Sequence, residues 1–383
     1  MSSVAETPTQ MPDPNAPPVV IEKATTATYS QRKLIWRRFK KHKAGVVGGY
    51  IVVLLYACVF LGEILAPHNP SHRFYKFVHL PAQSIHIFSD EGIHFPFVYG
   101  IKSNFDRQTG IKTYTEDASK RYTIYPFARG HEYTFYGLFT TNIHLFGTGQ
   151  DNPMFLLGTD RFGRDMLSRI IVGGRVSLTI GLFAVFISLT LGSVLGVISG
   201  FYGGQVDNVI QRIIELIFAF PSIPILMALS AILPPEWPSH FVFMGIVTVL
   251  SLVGWGGLAR EIRGKTLSIR ESDFILAARV VGAKDHRIIF RHLLPSMFSH
   301  IIVIATLAIP GFILGESTLS FLGLGIKPPM TSWGLLLSDA MNIHSLSLYP
   351  WLLLPGVCII IAVLAFNFLG DGLRDAADPY SSR

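Results

Sequence analysis

The chain has 383 residues, half of them hydrophobic and only 15% charged, with a formal net charge of +7 and a mean hydropathy of +0.43. Soluble domains carry about 25% charged residues, so composition alone places the chain among membrane proteins. The two cysteines, Cys58 and Cys358, both fall inside apolar runs, which excludes a disulfide framework and a thiolate metal cluster and reads as packing.

Residues 1–30 are rich in Pro, Thr, Ser and Ala and poor in aromatics. They cannot bury enough apolar surface to offset chain entropy, so a disordered cytoplasmic tail is expected. Arg32, Lys33, Arg37, Arg38, Lys40, Lys41 and Lys43 then crowd against the first apolar run. Clustering beside a span argues against nucleic acid and for a cytoplasmic flank. The run, about 44–66, is too long and too far in for a signal peptide and lacks a small-residue cleavage site. Residues 31–66 therefore read as a basic lead and an uncleaved first span.

A span needs roughly 20 apolar residues, and six stretches qualify: about 44–66, 176–199, 209–232, 241–259, 298–316 and 350–370. With the N-terminus in the cytoplasm, six crossings return the C-terminus there. Residues 67–157 have another character, with short alternating pieces such as RYTIYPF and EYTFYGLF. A small extracytoplasmic inserted domain with several strands is expected. It holds His68, His72, His79, His86, His94, His131 and His144, none in a zinc-ligand spacing.

In the second span Gly192, Gly196, Gly200 and Gly204 stand four apart, the small-xxx-small spacing that lets two membrane helices approach closely. A helix-packing face is the expected role, with pore lining the alternative. Pro221 and Pro224 interrupt the third span and should kink it. Glu63 and Glu215 are the acids noted beside spans, and Glu215 stands three residues after Arg212, a spacing that permits an ion pair. Between the fourth and fifth spans, Glu271 to Met297 carries Arg279, Lys284, Arg287 and Arg291 against Glu271, Asp273 and Asp285, with Gly282 central and Pro295 closing it. Two short helices meeting at a glycine turn are predicted, on the cytoplasmic side.

Catalytic patterns fail one by one. Gly264-Lys265-Thr266 resembles the end of a phosphate loop, but the position that needs glycine holds Ala259 and a span precedes it where a strand should be. His131-Glu132 lacks the second histidine of a metalloprotease helix. No catalytic residue, cofactor site or metal site is therefore assigned.

The segment AARVVGAKDHRIIFRHLLP is similar to the "EAA" loop of importer-type ATP-binding-cassette (ABC) permeases, with Ala277, Ala278, Gly282, Leu294 and Pro295 at the loop's places and Leu276 where its glutamate stands. Arg279, Ala283, Ile288, Arg291 and His292 resemble the dipeptide/oligopeptide branch. LGTDRFGRDMLSRIIVGGRVSL, SGFYGGQVDNVIQR, GESTLSFLGLGIKPP with Trp333-Gly334, and NFLGDGLRDAADP resemble blocks of that branch's C-type subunit. The resemblance covers about Arg32 to Pro379 apart from 67–157. It implies an all-α polytopic protein with the six-helix type I ABC importer permease fold, whose core runs from 158 to 383 and carries a cytoplasmic coupling loop at 260–297. In the family that loop seats on an ATPase subunit. Ala277, Ala278, Arg279, Gly282, Ala283, Lys284, Asp285, Arg287 and Arg291 are the expected coupling residues, with Phe274, Ile275, Ile288 and Ile289 anchoring the loop to the membrane part.

The resemblance further implies a non-catalytic permease forming half of a pathway in the bacterial inner membrane. Its partners would be a second homologous permease, two cytoplasmic ATPase subunits that bind ATP and magnesium, and an extracytoplasmic substrate-binding protein; lipid surrounds it and nucleic acid plays no part. Peptides are the expected cargo, with oligosaccharides, opines or nickel complexes the alternatives. A self-sufficient secondary transporter is the rival class, but inverted repeats and acids facing a cavity are not apparent in the sequence.

Overall fold

Where apolar runs are bounded by capping residues and prolines, the chain forms long helices. The computed structural model describes residues 31–377 except 90, 91, 106, 108–111, 150 and 151. The expected disordered tail, 1–30, and Asp378 and Pro379 lie outside the described residues. α1 (Gln31–Lys41) leads into α2 (Lys43–Phe60); His42 separates them and caps α2, its ring accepting the Gly45 N–H at 2.9 Å. A single turn, α3 (Gly62–Leu65), follows.

Seven strands come next. β1 (His86–Ser89), β2 (Gly92–Phe105) and β3 (Lys112–Thr123) form an antiparallel sheet in the order β1-β2-β3. β4 (Tyr125–Pro126) pairs with β7 (Phe146–Gly147), and β5 (Arg129–Phe135) with β6 (Phe139–Ile143). EYTFYGLF is thus a hairpin tip rather than one strand: Tyr136 and Gly137 take φ of +46° and +75° and reverse the chain.

α4 (Met166–Tyr202) is capped by Asp165, which accepts the Ser168 N–H at 2.8 Å, and ends at Gly203 with φ +64°. At 1.5 Å per residue it is roughly 55 Å long, well beyond a hydrocarbon core of about 30 Å. It starts ten residues before the apolar run because Arg169 and Arg175, which lower hydropathy, are neutralised by Asp160 and Glu63. The expected third span is two helices, α5 (Gly204–Phe218) and α6 (Ser222–Ala231), bent by 86°. Pro221 lacks the N–H that would continue α5 and disfavours helical backbone at Phe220, whereas Pro224 falls in the first turn of α6, where a missing N–H costs little.

The long α7 (Ser239–Ile269) leads into α8 (Asp273–Val280), α9 (Asp285–Ile288), a π-helical turn (Ile289–Leu293) and α10 (Leu294–Ser296). α11 (Phe298–Phe321) contains Pro310, and α12 (Trp333–Leu337), α13 (Ile343–Leu348) and α14 (Leu354–Ala377) complete the chain. Among the described residues five helices are long and apolar enough to span a membrane, six if the bent pair counts as one. The architecture is a helical membrane bundle with a strand-rich insertion after its first span.

The main core lies among α4, α7, α11 and α14, around Leu178, Ile246, Ile313 and Phe366. The α4–α7 contact explains its glycines. A Cβ on Gly192 would stand 3.0 Å from the Trp255 carbonyl oxygen, one on Gly196 2.5 Å from that of Ala259, and one on Gly200 2.8 Å from the Thr266 side chain. Gly204 departs from the expected packing face. It has φ +53° and open space around it, because the four-residue repeat has run past the end of α4 to the first residue of α5.

Candidate functional site

The segment between α7 and α11 is built as two helices reversing at Gly282. The Gly282 N–H donates to Arg279 O at 2.9 Å and the Ala283 N–H to Ala278 O at 3.0 Å. That bond pair closes a helix end around a left-handed residue, and Gly282 supplies φ +79°. Ile275, Ile288, Ile289, Leu293 and Met297 are buried in a second core beneath the segment, with Ala278 and Ala283 packed against it. Phe274 is not an anchor: it is 46% exposed, because the face of α8 turned to the core passes through Ile275 and Ala278 instead.

The outer side of the segment is both charged and greasy. Ala277, Arg279, Lys284, Asp285, Arg287 and Arg291 are exposed, and none forms an ion pair among the described residues. Arg279 lies 5.1 Å from the Phe201 ring, so its guanidinium also touches the body of the bundle. At the tip, Val280 and Val281 are 88% and 87% exposed. Two adjacent apolar side chains presented to solvent at a rigid turn suit a partner surface better than water. In the sequence the charges stand out and these valines look like ordinary core residues until the turn places them outward.

A polar brace fixes this end of the bundle. Asp207 of α5 accepts both Arg263 Nε and Nη2 of α7 at 2.6 Å, and also takes the Ser199 hydroxyl of α4. Arg270 donates to the Gly200 carbonyl at 3.0 Å, tying the end of α7 to α4. Arg212 and Glu215 do pair, at 2.8 Å, but are largely exposed, and such pairs contribute about 0–1 kcal/mol. Asp207 went unremarked because its partner is 56 residues away.

At the other end of α4, Asp160 is fully buried and accepts Arg164 Nε at 2.7 Å and Arg169 Nη1. Glu316 of α11 is also fully buried, caged by the hydroxyls of Ser177 at 2.9 Å, Ser320 at 2.7 Å and Ser317 at 3.3 Å. Ser177 in turn accepts the Trp333 N–H at 3.1 Å, so α4, α11 and α12 share one carboxylate. The sequence reading noted only Glu63 and Glu215 as acids beside spans. Glu316 sits inside a block that stands out only by its family resemblance, and its serine partners are brought to it by the fold.

A groove opens between α6, α7 and α11. It encloses about 320 Å³ and is lined by Leu226, Leu250, Gly254, Gly257 and Gly311, with Glu261 as its acid. A Cβ on Gly311 would meet nothing within 4 Å, and one on Gly257 only the Phe218 ring at 4.0 Å. Packing within this chain does not require glycine at either place.

The family of binding-protein-dependent transport system inner membrane components matches residues 192–382, and the N-terminal transmembrane domain of oligopeptide transport permease C matches residues 30–82. The dipeptide transport system permease protein of Alkalihalophilus pseudofirmus is 46% identical over 58% of this chain and 71% of its own length. Its namesake in Lactococcus lactis is 32% identical over 91% of this chain and 90% of its own length. The oligopeptide transport system permease protein of Escherichia coli K12 is 42% identical over 58% and 71%. The chain belongs to the binding-protein-dependent transport family and is a multi-pass inner membrane permease component. It is the non-catalytic part of an ABC transporter, working with partner ATPase and substrate-binding proteins, and hydrolysis lies with those ATPase partners.

Proposed function

We propose that this chain is one of two homologous transmembrane subunits of an ATP-driven importer for di- and oligopeptides. The observation that carries the reading is the rigid, outward-facing tip at Gly282, flanked by Val280, Val281 and unpaired basic side chains and standing on its own core. The named relatives, which are dipeptide and oligopeptide permeases, support the cargo. Two cytoplasmic ATPase subunits bind ATP and magnesium, and one receives the tip. The charges set its register, and the buried isoleucines carry the displacement into α7 and α11. On this reading the tip and both termini face the cytoplasm, and the strand-rich insertion lies outside, where a binding protein delivers cargo.

The groove beside Gly257 and Gly311 is where we place the cargo path, because glycine there leaves helix backbone open to a passing ligand. Closure of the ATPase pair then switches a bundle whose two arrangements are each biased by cargo and by ATP. The test is import of a labelled tripeptide by the reconstituted complex, with the ligand eluted from its binding protein identified by mass spectrometry. ATP-dependent uptake and an eluted peptide are expected. An eluted sugar or metal complex with no peptide uptake overturns the cargo assignment.

A further inference from the structure

At the same end of the bundle as the Gly282 tip, α1 meets the start of α11 and the end of α14. A second groove of about 300 Å³ lies there, lined by Ile35, Trp36, Phe39, Phe298, Ile302 and Leu373. Its rim is apolar and open: Trp36 is 56% and Phe298 63% exposed. α1 has no acid in its first turn and ends in Arg38, Lys40 and Lys41, with Lys43 just beyond. The Lys40 ammonium stands 5.3 Å from the Trp36 ring, so positive charge sits directly at the lip of the groove. Lys41 and Lys43 form no ion pair among the described residues, and both are exposed. Among the described residues the nearby acids noted are on α14: Asp375 faces His42 at 3.4 Å, and Asp371 is exposed beside Arg374.

From this juxtaposition we infer that the groove is a binding site for an anionic phospholipid, one acyl chain lying against Trp36, Phe39 and Ile302 and the headgroup phosphate held by Lys40, Lys41 and their basic neighbours. Each half of the site answers one half of the ligand. An amphipathic basic helix with a tryptophan on its apolar side lies at a membrane interface. A cluster of lysine and arginine at the edge of an apolar groove selects anionic over zwitterionic headgroups. The open rings of Trp36 and Phe298 call for an apolar cover, which an acyl chain supplies at a membrane interface. The bound lipid would fix the angle between α1 and α14 at the end of the bundle that carries the Gly282 tip.

The experiment uses the purified complex in bilayers containing phosphatidylglycerol or phosphatidylcholine with brominated chains, which quench nearby tryptophan fluorescence. Quenching that is lost in Trp36→Phe should half-saturate at an about tenfold lower fraction of brominated phosphatidylglycerol than of brominated phosphatidylcholine. The double variant Lys40→Gln, Lys41→Gln should keep the quenching and lose that preference. Identical curves for the two lipids overturn the inference, as does quenching that Trp36→Phe leaves unchanged, the result if another protein subunit covers the groove. Should Trp36→Phe fail to assemble, native mass spectrometry decides: phosphatidylglycerol retained on the wild-type complex and lost from the lysine variant supports the site, and equal retention contradicts it.

Discussion

Two sets of glycines stand on the long helices of this bundle, and they do opposite things. Gly192, Gly196 and Gly200 press α4 against α7 so closely that a single added carbon would strike backbone or side chain. Gly257 and Gly311 also lie on long helices, α7 and α11, yet an added carbon would meet only the Phe218 ring at 4.0 Å at the first and nothing within 4 Å at the second. Glycine inside a helix costs about 1 kcal/mol relative to alanine. The first set offsets that cost through contact, and the second has no contact in this chain to offset it. The difference separates a seam that holds the permease together from a surface that we propose is kept clear for cargo.

The largest test of that contrast is Gly196→Leu. Its Cβ would begin 2.5 Å from the Ala259 carbonyl oxygen, which is backbone and cannot turn away. Overpacking of about 3 kcal/mol, the upper end of the usual range, is expected, read as loss of the folded complex on size exclusion. A variant that assembles with unchanged melting temperature would mean that the seam is not tight. Asp207→Asn probes the polar brace at the end of the same seam. It leaves Arg263 without its carboxylate, and about 1–3 kcal/mol of stability should go, discounted because Arg263 is 30% exposed. Next comes Gly311→Ala on the open set. The fold should be unharmed or stabilised by up to about 1 kcal/mol, while peptide import falls. A fall in melting temperature would instead assign Gly311 to packing.

A separate test lies off both sets, in the strand-rich insertion. Burial, and then the neighbouring His144, hold the His131 imidazole down to about 4; the two rings are 4.5 Å apart. Above the ordinary histidine value near 6.5 both folded and unfolded chains are neutral there. Between about 6.5 and 4 only the unfolded chain takes the proton, so stability falls as pH falls through that window. Melting temperature should therefore decline from pH 7 to pH 4.5, and less steeply in His131→Gln. An equal slope in both proteins would remove His131 from the account.

How much of this could be read from residues alone follows from the range of the forces. Hydropathy located every long helix, since twenty apolar residues announce themselves locally. Helix ends were misplaced wherever a charge is cancelled at a distance, as with Arg175 by Glu63 and Arg263 by Asp207. The four-residue glycine spacing pointed to a face of α4, but it ran on to Gly204 because spacing carries no mark of where a helix stops. The Gly282 turn was legible because left-handed backbone demands glycine locally. The exposure of Val280 and Val281, the serine cage around Glu316 and the open space above Gly311 were not, since each depends on what the rest of the chain brings near.

The Gly282 tip is proposed to deliver work to a pathway that this chain lines but does not power. The most direct measurement is peptide imported per ATP hydrolysed by the reconstituted complex carrying Gly282→Val. A β-branched residue forced to φ +79° should break the turn between α8 and α9. The prediction is hydrolysis that continues while import falls at least tenfold. Import and hydrolysis both at wild-type levels, in the same ratio, would contradict it.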